Sequence, residues 1–173
     1  VWVGAAVVSI ADSFSAEEIR TRLQISQTRL VFTQDHIVRG EKTIPLYPRL
    51  VEAGSTSVVV LPADRQLSLS LRSNDQSYAE FLNRSDDTAV EPSMGPVDRI
   101  SNILFSSGTT GAPKAIPWTQ LTPIKAAADA WAHHDIQAGE VVVWPTNLGW
   151  MMGPWLIYAS LLNGASIGVF EGS

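Results

Sequence analysis

The chain alternates short apolar runs with amphipathic stretches, and the spacing of apolar positions predicts strand, helix, strand units. Residues 1–10 are almost wholly apolar and small, the pattern of a strand buried on both faces. Ser15-Ala-Glu-Glu18 reads as a capping box opening a helix, with Ile19 and Leu23 on its inner face, Arg20 and Arg22 elsewhere, and an end near Ser26. A strand follows over Arg29 to Thr33, a short helix over Leu46 to Ala53 stopped by Gly54, and a strand over Ser57 to Leu61. Strand and helix alternating through short links predict an α/β fold, a mostly parallel sheet flanked by helices.

From residue 63 to 98 the sequence turns polar, a surface excursion or linker in which only Tyr78 to Leu82 looks ordered. Apolar character returns in a strand over Arg99 to Phe105. Thr122-Pro123 then offers an N-cap and a first-turn proline to a helix. Its Ile124, Ala127, Ala128 and Trp131 share one face, and His133-His134 closes it. Val141 to Trp144 is expected as a further strand of the same sheet, Pro154 to Leu162 as a helix stopped by Asn163-Gly164, and residues 165–170 as a last strand.

The uncharged run from Leu148 to Phe170 is long enough to be weighed as a membrane span, but Pro154, Asn163, Gly164 and Gly168 break it. No stable membrane insertion is expected. The net charge of −5, with twelve basic residues scattered along the chain, argues against a nucleic-acid surface. The absence of cysteine excludes a disulfide framework, a thiolate nucleophile and a cysteine zinc site. The two imidazoles of His133-His134 point about 100° apart on a helix and do not converge on one metal.

The densest chemistry lies in Phe-Ser-Ser-Gly-Thr-Thr-Gly-Ala-Pro-Lys, residues 105–114. Gly108 and Gly111 allow backbone conformations in which successive N–H groups turn inward on an anion. Ser106, Ser107, Thr109 and Thr110 add hydroxyl donors, and Lys114 supplies a mobile charge for the outer phosphates of a nucleotide. An ordinary P-loop counted from Gly108 needs glycine at 113 and a hydroxyl at 115, where this chain has Pro113 and Ala115.

These residues resemble the phosphate loop of the adenylate-forming, acyl-activating enzyme superfamily, [ST]-S-G-[ST]-T-G-x-P-K-G, at every position but the last, which is Ala115. The run Ala115-Ile-Pro-Trp-Thr-Gln120 is most similar to the acetyl-CoA-synthetase-like branch and its plant acyl-activating enzymes. The chain starts without methionine and is far shorter than such enzymes, so it reads as a piece, residues 1–173, of one AMP-binding domain. The resemblance implies a parent that joins a carboxylic acid to ATP and then to coenzyme A, with Mg²⁺ beside the phosphates and Thr109 or Thr110 helping to place the ion. It implies Lys114 as the catalytic cation and an intracellular, cytoplasmic or peroxisomal setting. Trp150, after Pro145-Thr-Asn-Leu-Gly149 at the end of a strand, matches the Gly-Trp with which acyl-CoA synthetases line the acyl group and the pantetheine entry.

The adenine-binding motifs, the acidic metal ligand beyond them and the late lysine of the family fall outside this stretch, so the piece alone is not expected to catalyse. Two rivals remain at this level: a non-catalytic nucleotide-binding regulatory domain, and a membrane or packing module using the apolar C-terminal third.

Overall fold

The computed structural model describes residues 2–84, 89–108 and 111–169. These fall into two compact units, one built from residues 2–11 and 91–169, the other from the described residues between 12 and 90. In chain order the elements are β1 (Val7–Val8), α1 (Ala16–Ser26), β2 (Val31–Gln34), β3 (His36–Arg39), β4 (Lys42–Pro45), α2 (Leu46–Glu52), β5 (Val58–Leu61), β6 (Gln76–Ser77) and α3 (Tyr78–Asn83). They continue as β7 (Ile100–Ser106), β8 (Lys114–Thr119), α4 (Leu121–His134), β9 (Val141–Val143), α5 (Met152–Leu161) and β10 (Ser166–Gly168). The α/β class holds. Of the strand pairings among described residues, β1 with β7, β2 with β5, β5 with β6 and β9 with β10 are parallel. The pairs β3 with β4 and β7 with β8 are antiparallel.

In the second unit, α1 starts at the capping box read from the sequence: Glu18 N–H donates to Ser15 Oγ, and Ser15 N–H donates to the Glu18 carboxylate at 2.9 Å. Arg22, expected away from the inner face, departs from that expectation. It is buried, its guanidinium lies 3.7 Å over the Phe14 ring, and Nη1 donates to Glu18 O. Three residues after Ile19 it shares that residue's face, and the planar guanidinium stacks where an ammonium would stay hydrated.

The core strand β5 has Val58, Val59 and Val60 fully buried. Asp35, also buried, organises the loops beside it: its carboxylate accepts from the N–H groups of His36 and Ala63, each at 2.9 Å or less, and from Ser68 Oγ. The polar stretch after Asp35 holds the β3–β4 hairpin, which apolar alternation does not reveal because Ile37 and Ile44 are its only large apolar pair in register.

In the first unit, β1 is two residues long and partly exposed, against the buried ten-residue strand expected at residues 1–10. It pairs Val7 with Asn102 and Val8 with Ile103, and Ser9 N–H continues the ladder to Ile103 O. The strands at 100–106 and 141–143 are not neighbours in one hydrogen-bonded sheet: β7 lies between β1 and β8, while β9 pairs with β10. β8 itself, over Lys114–Thr119, is an edge strand, which is where Pro117 is tolerated because its missing N–H would face away from the ladder.

The helix α4 begins at Leu121, before Pro123, with Thr122 Oγ1 turned back to accept from Thr119 N–H at 3.1 Å. Its buried face is Ala126, Ala127 and Ala130, whereas Ile124 is 62% and Trp131 59% exposed. Both residue series satisfy the same helical period. The alanines win because they let α5 approach closely, and Asn163 Nδ2 bridges the two helices by donating to Ala127 O and Ala159 O. Ala130, Ile136, Ala159 and Ala165 form the core there, with Val142 and Trp155 against it. The uncharged C-terminal run is helix α5, a turn at Asn163-Gly164 and β10, up to Val169; Phe170 lies outside the described residues. No described helix is long and apolar enough to cross a membrane.

Candidate functional site

β7 delivers the hydroxyl- and glycine-rich loop. Leu104 and Phe105 are buried, fixing the end of the strand, and Ser101 Oγ donates to Trp118 O and Thr119 O, tying β7 to β8. The last rung of this antiparallel ladder pairs Ser106 with Lys114, and the described residues at that end are Ser107, Gly108 and 111–113. Within that end Gly108 has φ +67° and Gly111 φ +86°. A Cβ on Gly108 would also stand 3.0 Å from the Ala112 carbonyl carbon and closer still to its oxygen. Thr109 and Thr110 lie outside the described residues.

Lys114 is exposed, and so is Ala115, which pairs with Phe105 as an ordinary strand residue. Glycine is therefore not required at 115 for this backbone, and the departure from the sequence pattern is absorbed by strand geometry. The arrangement presents two hydroxyls, a backbone bent through left-handed conformations and one cation at a single hairpin end, which suits an oligophosphate.

Trp150 sits apart, in the turn between β9 and α5, and is 39% exposed. The turn is knit by Gly149 N–H donating to Asn147 Oδ1 at 2.8 Å, Trp150 N–H to Asn147 O at 3.0 Å and Gly153 N–H to Trp150 O at 2.9 Å. The sequence pattern does not single out Asn147; its oxygen caps the turn in the manner of an Asx-turn. Trp144 and Trp155 form an edge-on pair with centroids 6.2 Å apart, and the His134 ring meets Trp155 edge-on at 5.3 Å. His134 thus packs its ring against Trp155.

Residues 2–173 match the family described as AMP-binding enzyme. The chain belongs to that family. Among its relatives, hexanoyl-CoA synthase of Cannabis sativa is 60% identical over 180 residues, covering 100% of this chain and 25% of that protein. The probable peroxisomal acyl-activating enzyme 17 of Arabidopsis thaliana is 56% identical, covering 100% of this chain and 24% of that protein. Acetoacetyl-CoA synthetase from Streptomyces lividans superposes with a TM-score of 0.83 at 28% identity, over 99% of this chain and 26% of that structure. The chain thus spans about a quarter of the length of the relatives it matches.

Within this AMP-binding segment, the described residues contain no group of three or more His, Asp or Glu side chains able to hold a metal ion. The described donors at the hairpin, two hydroxyls and one lysine, fit phosphate oxygens and include no carboxylate. The two threonines assigned to Mg²⁺ are among the residues not described.

Proposed function

We propose that the full-length protein is an ATP-dependent carboxylic acid:CoA ligase. In the first step an oxygen of the acid attacks the α-phosphorus of ATP, the bond to the β-phosphate bridging oxygen breaks, and pyrophosphate leaves. In the second the thiolate sulfur of coenzyme A attacks the acyl carbon and AMP departs. The observation that carries this reading is the hairpin end in which Ser106 and Lys114 are paired across the ladder with Gly108 and Gly111 at positive φ between them.

In this reading Ser106, Ser107, Gly108, Thr109, Thr110 and Gly111 cradle the β- and γ-phosphates. Lys114 stabilises the charge that grows on departing pyrophosphate, an interaction stronger in the transition state than in bound ATP. Any Mg²⁺ would arrive with the triphosphate and share that charge. Trp150 would bound the space for the acyl group. The names of the relatives, a hexanoyl-CoA synthase and an acetoacetyl-CoA synthetase, support coenzyme A as acceptor and make short and medium aliphatic acids the first to assay. A relative named as peroxisomal supports the same compartment for this protein, which imaging of a full-length fluorescent fusion tests.

The ligase reading is tested by incubating the full-length protein with ATP, coenzyme A and acids of graded length and detecting acyl-CoA by mass spectrometry. Thioester formation supports it. Tight ATP binding with no AMP, pyrophosphate or thioester from any acid would favour a nucleotide-binding regulatory domain.

A further inference from the structure

The segment at residues 7–11 touches both halves of the proposed site. Val7 and Val8 pair with Asn102 and Ile103 of β7, the strand that ends at Ser106, and Ser9 extends that ladder. Directly after Ser9, the backbone of Ile10 and Ala11 runs against Gly149. A Cβ placed on Gly149 would lie 2.5 Å from Ala11 Cα and 2.7 Å from the Ile10 carbonyl carbon, distances no side chain can occupy. Ala11 is buried, so this backbone has no room to retreat. On the other side of the turn, a Cβ on Gly153 would lie 2.5 Å from Leu148 O. The turn bearing Trp150 is thus held between residues 10–11 and its own backbone, with Asn147 Oδ1 holding the Gly149 N–H at 2.8 Å.

We propose that Gly149 and Asn147 are positioning residues that lock Trp150 to the segment at residues 7–11, and through it to the strand carrying the phosphate loop. The relative placement of acyl wall and phosphate cradle would then be set by a backbone-to-backbone contact. This rests on the reading of Trp150 as the acyl wall only for its effect on acid choice; the positional lock stands without it.

Because Gly149→Ala forces backbone movement and costs folding stability, Asn147→Ala carries the test: it removes the acceptor and adds no volume. Asn147→Asp, which keeps an oxygen at the same place, is the control. The full-length protein would be labelled with 5-fluorotryptophan, and the Trp150 resonance assigned by its loss in Trp150→Phe. In Asn147→Ala that resonance is expected to move while the other tryptophan resonances stay, and in Asn147→Asp to return close to its original position.

In parallel, the ratio of kcat/KM between a short and a longer acid should shift about threefold to tenfold in Asn147→Ala, a small part of what a misplaced reacting group can cost. The shift should run in the direction given by Trp150→Ala, with the KM for ATP unchanged. An unmoved Trp150 resonance in Asn147→Ala overturns the proposal. So does a uniform loss with every acid beside a lowered melting temperature and general spectral change, the mark of a merely structural turn. A moved resonance together with an unaltered acid ratio in Trp150→Ala would uphold the lock and remove Trp150 from the acyl wall.

Discussion

Ser106 and Lys114 face one another across the last rung of an antiparallel ladder, eight positions apart in sequence and adjacent in register. Lys114 is therefore carried on a strand, and its backbone is placed by β7, whose Leu104 and Phe105 are buried. A cation set in this way loses less conformational entropy on meeting a phosphate than one on a free loop, which favours it as a transition-state clamp.

Gly108→Ala tests the bend between those two residues. The left-handed conformation alone costs a residue with a Cβ about 1–2 kcal/mol, and the Ala112 carbonyl blocks the Cβ besides. The hairpin end should open. Acid-dependent pyrophosphate release is expected to fall at least tenfold, with a modest change in melting temperature because Ser107, Gly111 and Ala112 around it are exposed. Unaltered release would show that the bend is not used.

Acid sensitivity should trace to Asp35. Burial by itself would push this carboxyl up, but the N–H groups of Ala63, His36 and Ser68, with the His36 ring 3.1 Å away, hold it below the usual carboxylate range. A folded-state value below the unfolded one means the stabilisation is complete above the ordinary carboxylate pKa and is lost as pH falls through the folded value. Asp35→Asn should lower stability near neutral pH by about 1–3 kcal/mol. Its deficit against the original protein should shrink in denaturant titrations taken to progressively lower pH. A deficit independent of pH would mean that charge at Asp35 is immaterial.

Ala130→Leu addresses the packing of α4. Ala130 is fully buried where α4 meets α5, and overpacking of this kind costs about 1–3 kcal/mol. Thermal melting should register it. An unchanged melting curve would contradict the alanine face.

Capping and turn chemistry made the helices legible: the Ser15 box, the stop at Gly54 and the turn at Asn163-Gly164 are local signals written in a few residues. The alanine face of α4 was not legible, since Ile124 and Trp131 obey the same period and only the partner helix chooses between them. Nor was β8, because Pro117 suppresses the strand signal and edge position alone excuses it. The strand that leads to Ser106 was legible from its apolar run, and the phosphate role proposed for the residues after it rests on the chemistry of hydroxyls, glycines and a lysine at fixed offsets. The contact of Gly149 with Ile10 and Ala11 was not legible, because it joins residues far apart in sequence through backbone atoms that carry no side-chain signature.

The most direct measurement is acid-dependent exchange of labelled pyrophosphate into ATP by the full-length protein, compared with its Lys114→Ala variant beside a melting curve of each. Exchange is expected only when a carboxylic acid is present. Loss of one charge from a transition-state clamp should lower it about a hundredfold or more. The melting temperature should barely move, because Lys114 is exposed and packs little. Exchange at the original rate in Lys114→Ala, or none from the unaltered protein with any acid, would contradict the assignment of this hairpin to adenylate formation.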